Sequence, residues 1–269
     1  PGLLEFDVNA PLWSDGTSKR RWLALPNGAR IGFRANGAWT FPPGTVLVKH
    51  FELGTRRLET RALVFEEAGW RGYTYRWNAA QTDADLLADA FSEVVDGQRY
   101  DYPSRSDCLR CHTQAAGFVL GPRTIQLNRS FAFPNATDNI LRTWNHIGLF
   151  DRDVGSPAHY DALADPTEDP RAYREANCAF CHLPTGPAPS DVDLRWETPL
   201  ELTNLIDQRP TEGDVGLPDP WRLRPGSKES SVLWERVRRR GDHQMPPLAT
   251  NVVDDAAVDL LGAWIDGLE

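Results

Sequence analysis

Short segments that alternate apolar and polar residues fill the first hundred positions of the chain. Residues 21–25 (Arg-Trp-Leu-Ala-Leu) run into Pro26-Asn27-Gly28, and residues 29–34 (Ala-Arg-Ile-Gly-Phe-Arg) run into Asn36-Gly37. Asn-Gly between such segments is the strongest short-range hairpin signal, because both residues tolerate the positive φ of a tight turn. Residues 45–53 (Thr-Val-Leu-Val-Lys-His-Phe-Glu-Leu), 57–65 and 70–77 continue the pattern, rich in β-branched and aromatic side chains. The alternation predicts several twisted antiparallel strands with one buried face.

Beyond about residue 105 the alternation gives way to helical spacing. Ser106 or Asp107 is placed to cap a short helix, and residues 124–128 and 139–144 predict short helical or irregular segments. Residues 151–169 are rich in Asp, Pro, Gly and Ser without a sustained period, which predicts a linker. Asp169-Pro170 then supplies a cap followed by proline at the first helical position, with Ala172, Tyr173 and Ala176 on one face. Residues 200–206 predict a short helix or strand. Ser227 is placed to cap a helix over 229–239 with an apolar stripe of Val232, Leu233 and Val237. Its arginine-rich end, 236–240, predicts a solvated terminus suited to the helix dipole. A last helix starting near Asp254-Asp255 carries Ala257, Leu260, Leu261, Trp264, Ile265 and Leu268 at i, i+3, i+4, i+7 spacing. The expected fold is α+β: an antiparallel β-sheet domain over 1–150, a linker over 151–167 and an all-α domain over 168–269.

Composition narrows the function classes. The 269 residues carry a formal net charge of −9 and no long basic tract, which argues against nucleic acid as a partner. No apolar run approaches the ~20 residues of a membrane span.

The chemistry sits in two pentapeptides, Cys108-Leu109-Arg110-Cys111-His112 and Cys178-Ala179-Phe180-Cys181-His182, which use all four cysteines. Cys-x-x-Cys-His is the attachment site of c-type haem. Two thiols three residues apart can each form a thioether to one vinyl group of the same haem, and the next residue, His, then serves as the proximal iron ligand. A zinc ribbon places its Cys pairs about 15–20 residues apart, whereas 66 residues separate Cys111 from Cys178. A redox Cys pair gives no reason for His to follow both times. The reading is a dihaem c-type cytochrome with two covalently attached haems c, metal ligands His112 and His182, and an electron-transfer role. Such attachment takes place outside the cytoplasm, so a periplasmic or otherwise exported location is expected, with a leader already removed.

Met245, the single methionine, stands in Gln244-Met245-Pro246-Pro247 and is the expected sixth ligand of the second haem. One methionine cannot serve two irons. For the first haem the sixth ligand is expected from His146, in the apolar run 144–150, or from His50, or the position is open. Lys49 and His50 are neighbours on a predicted strand and must point to opposite faces, so at most one of them reaches the haem side.

Several stretches carry family resemblances. Phe41-Pro42-Pro43-Gly44-Thr45-Val46-Leu47-Val48-Lys49, followed by Cys108, Cys111, His112, Ala115 and Ala116, resembles the P-460 cytochromes and the β-sheet type of cytochrome c′. That resemblance implies a lysine, here Lys49, joined to the haem edge or standing on its distal side, and an open iron position. It also implies redox chemistry on a small nitrogen compound such as hydroxylamine or nitric oxide. The region around Cys178, Cys181, His182 and Met245, with its amphipathic last helix, resembles class I cytochrome c. Pro11-Leu12-Trp13-Ser14-Asp15-Gly16, residues 72–77 and residues 146–150 resemble a family of exported dihaem proteins, some fused to domains similar to pyrroloquinoline-quinone sugar dehydrogenases. This implies a dehydrogenase electron donor, separate or fused, and a soluble or membrane-bound acceptor.

Overall fold

The computed structural model describes residues 2–248 and 250–269. It is mixed α and β, with a six-stranded antiparallel sheet and several helices. The chain forms two units. The first holds the N-terminal segment ending at Asn9 together with Thr17–Phe91 and Tyr102–Leu163; the second holds Ala10–Gly16, Ser92–Asp101 and Ala164–Glu269. Two excursions of the N-terminal half therefore belong to the second unit, which local patterning does not foretell. Of the expected linker 151–167, the part ending at Leu163 packs on the first unit. Val154 and Leu163 are buried there, and Leu163 N donates to Ile125 O at 2.9 Å.

In the first unit, β1 (Leu4–Phe6), β2 (Ser18–Ala24), β3 (Val46–Leu53), β4 (Arg56–Glu66), β5 (Gly69–Trp77) and β6 (Ala84–Leu86) pair in sequence order. The expected hairpin over residues 21–34 does not form. Pro26–Gly28 makes a turn, closed by Ala29 N on Pro26 O at 3.1 Å, and β2 pairs with β3 instead. Ile31 and Phe33 lie outside the sheet and enter the core, held by isolated bridges of Ile31 to Phe150 and of Gly32 to Thr40. Burial of Ile31 and Phe33 among Trp39, Trp144 and Phe150 outweighs the local turn preference.

Register divides the sheet into two faces. Leu23, Leu47, Leu63 and Gly72 lie side by side across β2–β5, and one step along the strands lie Arg21, Lys49, Arg61 and Thr74. The next step on that face is Lys19, Phe51, Glu59 and Arg76. This inner face is apolar where it meets the core and charged at its other end. His50, Thr60 and Tyr75 occupy the opposite face, as strand alternation requires.

After the sheet come a hairpin of β7 (Phe91–Val95) and β8 (Gln98–Tyr102), then α1 (Arg105–Cys111) and α2 (Thr124–Leu127). A second hairpin, β9 (Ser130–Phe133) and β10 (Ala136–Asn139), precedes α3 (Ile140–His146). Neither hairpin carries the long alternation that made β3–β5 legible.

The second unit is built on α4 (Pro170–Asn177), α5 (Val232–Arg238) and α6 (Asp255–Asp266). Asp169 caps α4 by accepting from Arg171 N and Ala172 N, with Pro170 in its first turn, as the sequence predicts. Asp254 caps α6 by accepting from Ala257 N. The stripe on α6 is narrower than expected: Ala257, Leu261, Gly262 and Ile265 are buried, while Leu260, Trp264 and Leu268 are partly exposed. Before α5, residues 228–230 form a 3-10 turn, and Ser231 rather than Ser227 is the cap position. The arginine-rich end is not a freely solvated terminus. Arg238 and Arg239 both pair with the buried carboxylate of Glu235, and Arg240 donates to Val237 O and Val252 O.

Candidate functional site

Helix α1 carries the first motif, and its start is set by a capping box. Ser104 accepts from Asp107 N at 3.2 Å, while Ser104 N donates to Asp107 Oδ2 at 3.0 Å. The cap is therefore Ser104, with Asp107 as its reciprocal partner, rather than Ser106 or Asp107 alone. One helical turn separates Cys108 from Cys111, so both thiols project from one side of the helix. His112 is the residue that ends it.

A glycine lets this helix lie on the sheet. A Cβ at Gly72 would stand 2.5 Å from Cys108 Cβ and 2.6 Å from its Sγ, so any side chain on β5 there would push Cys108 away. Gly72 and Thr74 share the inner face with Lys49 and Arg61. Cys108 is thus held on that face, next to Thr74, whose Oγ1 donates to Pro103 O at 2.9 Å.

His112 is oriented from behind. Its Nδ1 lies 2.6 Å from Phe118 O, so the nitrogen carrying the proton in that bond is Nδ1, and Nε2 keeps its lone pair. Phe118 reaches this position through a turn in which Gly117 has φ +73° and Phe118 φ +60°. A Cβ on Gly117 would come within 2.4 Å of Ala38 Cβ. Burial drives the His112 pKa down to about 4, with Lys49 and Arg61 adding to the effect, so the imidazole is neutral near pH 7.

Of the three side chains weighed beside the first motif, the structure brings only Lys49 to it. Lys49 lies on the face of Cys108 and His112, and burial, then Arg21, Lys19 and Arg61, holds its amine well below the ordinary lysine range. His50 is on the other face, bonded through Nδ1 to Thr60 Oγ1 at 2.7 Å and paired through Nε2 with Glu52 at 3.3 Å. His146 is exposed at the end of α3, whose buried side is Ile140, Leu141 and Trp144. His50 is thus turned to the face opposite Lys49, and His146 is exposed to solvent. The apolar run that recommended His146 is real, but the helix turns that residue to solvent.

The second motif follows α4 directly, with Cys178 as its terminal residue, and His182 N donates to Cys178 O at 3.0 Å. Its histidine is oriented more loosely: Nδ1 stands 3.4 Å from Ser190 Oγ. Burial, then Arg236, lowers the His182 pKa. Arg236 also joins the Met245 segment to this place, since its carbonyl accepts from Met245 N at 2.9 Å. The far end of that segment is clamped within the same unit. Asp15 Oδ1 accepts from Asn251 N at 2.7 Å and Val252 N at 2.8 Å, and Trp13 Nε1 donates to Val252 O at 3.1 Å. Gln244 Nε2 spans the loop to Thr250 O at 2.8 Å. The residues that fix Met245 thus include Trp13 and Asp15, over two hundred positions earlier. In the sequence both lie in the stretch Pro11–Gly16, which carried a family resemblance but no assigned role.

None of the four cysteines forms a disulfide. Burial pushes the Cys108 thiol up and the Cys178 thiol to about 12. Arg61 acts in the opposite sense on Cys108, and Arg174 on Cys178, but burial outweighs both. No family model, curated protein or solved structure matches this chain. No helix among the described residues is long and apolar enough to cross a membrane.

Proposed function

We propose that the protein is an exported dihaem c-type cytochrome whose first unit is a β-sheet haem domain and whose second is a class I cytochrome c-like domain. The observation that carries this reading is the setting of His112. It follows two thiols one helical turn apart, burial keeps it neutral, and its Nδ1 is committed to Phe118 O while Nε2 keeps its lone pair. That is the arrangement a metal-ligating histidine requires.

The donor sets fit the group. Cys108 and Cys111 would hold the first haem with His112 as axial ligand. Cys178, Cys181, His182 and Met245 would hold and ligate the second. Arg240 Nε, a buried side-chain nitrogen with no hydrogen-bond partner among the described residues, suits a haem carboxylate beside Tyr173. The haems would supply one-electron carriage, entered from a partner dehydrogenase at the first and left through the Met-ligated second, whose ligation favours a higher potential. Around them the chain's own residues act as a frame. Phe118 O orients His112, Gly72 admits Cys108, and Asp15 with Trp13 anchors the segment bearing Met245.

A second reading is favoured by one observation: Lys49, not a histidine, accompanies the first motif. A lysine amine on that face, its pKa lowered by burial, suits a P-460-like enzyme acting on hydroxylamine or nitric oxide at an open first haem.

The test is an intact-mass measurement with a reduced-minus-oxidised absorption spectrum of protein matured in an exporting host. Two covalent haems per chain are expected. A chain of unmodified mass from a host that matures other c-type cytochromes overturns the proposal. Added hydroxylamine leaves the spectrum unchanged on the electron-transfer reading and reduces the haems on the enzyme reading.

A further inference from the structure

The inner face of the first unit's sheet concentrates positive charge at one place. Arg21, Lys49 and Arg61 stand in register on three adjacent strands, and Lys19 and Phe51 occupy the next row. The Phe51 ring, fully buried, has three cations around it: Arg61 at 4.4 Å, Lys49 at 5.2 Å and Lys19 at 5.9 Å from its centroid. Two carboxylates serve this cluster. Glu59, itself fully buried, takes Arg61 at 2.5 and 2.9 Å. Asp7 takes Arg21 at 2.6 Å and is shared with Arg129 at 3.2 Å. Lys19 Nζ donates to Thr17 O at 2.8 Å. Lys49, partly exposed, has the Phe51 ring beneath its Nζ and feels the Glu59 carboxylate as its counter-charge.

Buried charges are ordinarily paired and hydrogen-bonded, because an isolated one is expensive in a medium of low polarisability. Like charges on adjacent strands repel as well. Asp7 and Glu59 face Lys19, Arg21, Lys49, Arg61 and Arg129, so the cluster is positive by three formal charges if each group is ionised. Its donors converge on the side of the sheet that carries His112.

The geometry points to an anion-binding site formed by Arg21, Lys49, Arg61 and Lys19 beside His112, suited to a carboxylate or small oxyanion. Phe51 forms its floor, with the Lys49 amine and the Arg61 guanidinium over the ring. Two sources share this chemistry: a propionate of the haem proposed for this unit, and a freely diffusing oxyanion. Only the propionate source rests on the haem reading; the donors themselves belong to the chain.

The test uses the purified full chain, titrated calorimetrically with formate, nitrite and sulfate, alongside Lys49→Gln, Lys19→Gln and Arg20→Gln. Arg20, on the opposite face, is the control. For a diffusing oxyanion, one anion binds per chain, Lys49→Gln weakens it at least tenfold, Lys19→Gln weakens it less, and Arg20→Gln leaves it unchanged. For a bound propionate, added anions do not bind. Lys49→Gln then moves the first haem's reduction equilibrium at least tenfold toward the oxidised form, and Arg20→Gln does not. The site is overturned if the folded variants, checked by circular dichroism, match the parent in both measurements. If no haem is attached, the haem reading fails while the calorimetric result still decides the site.

Discussion

The two Cys-x-x-Cys-His motifs share a five-residue pattern and differ in what the fold puts around them. The first rides a short helix laid against a sheet, its histidine fixed by a 2.6 Å bond to a backbone carbonyl, with Lys49 and a cationic face beside it. The second ends a capped helix in a helical unit; its histidine has a longer, 3.4 Å partner, and a methionine segment is fastened nearby. On the proposed reading, the shared pattern would attach a haem at each place, and the surrounding elements would decide what each haem does. The first site would then admit a ligand or a charge, and the second would be closed by Met245.

The largest effect expected from this contrast comes from Gly72→Val. A β-branched side chain cannot stand 2.5 Å from Cys108 Cβ, so α1 is displaced and haem attachment at the first motif fails while the second proceeds. Intact mass reports the loss of one haem, and retention of both refutes the sheet's part in attachment. Acidification comes next. His112 has a folded pKa of about 4 against an ordinary 6.5. As pH falls below 6.5, the unfolded chain takes up the proton first, so stability present above that pH is lost on the way to 4, by up to about 3 kcal/mol. In a Cys108→Ala/Cys111→Ala chain, denaturant midpoints measured across this window fall, and adding His112→Gln removes that fall.

Met245→Ala addresses the second site alone. It lowers the potential of the second haem by about 0.1 V or more, equivalent to about 2.3 kcal/mol per electron, and abolishes the sulfur-to-iron absorption band. The first haem's potential is unchanged. The smallest effect is expected from Gly117→Ala, where the added methyl meets Ala38 and the backbone has φ +73°. Displacing Phe118 O weakens the bond to His112 and raises the first haem's potential by about 60 mV, a tenfold change for one electron, with no change at the second.

The long alternating strands β3–β5 and the capped helices α4 and α6 were readable because each is driven by its own local pattern. The core segment around Ile31 and Phe33 was not, because distant aromatics override its turn signal. The same distinction runs through the sites. The Cys-x-x-Cys-His residues are contiguous and legible, and strand alternation showed that Lys49 and His50 must part company. Which of them faces the motif depended on the side of the sheet taken by α1, and Gly72 decides that only in three dimensions. Asp15 and Trp13, which anchor the Met245 segment, act across more than two hundred residues of chain and leave no periodic trace.

The central claim, two haems of unequal axial setting, is tested most directly by titrating the dithionite-reduced protein with carbon monoxide and counting bound gas against total haem. The account predicts two haems per chain and one bound carbon monoxide, at the first site. Binding at both haems, at neither, or the absence of haem would contradict it.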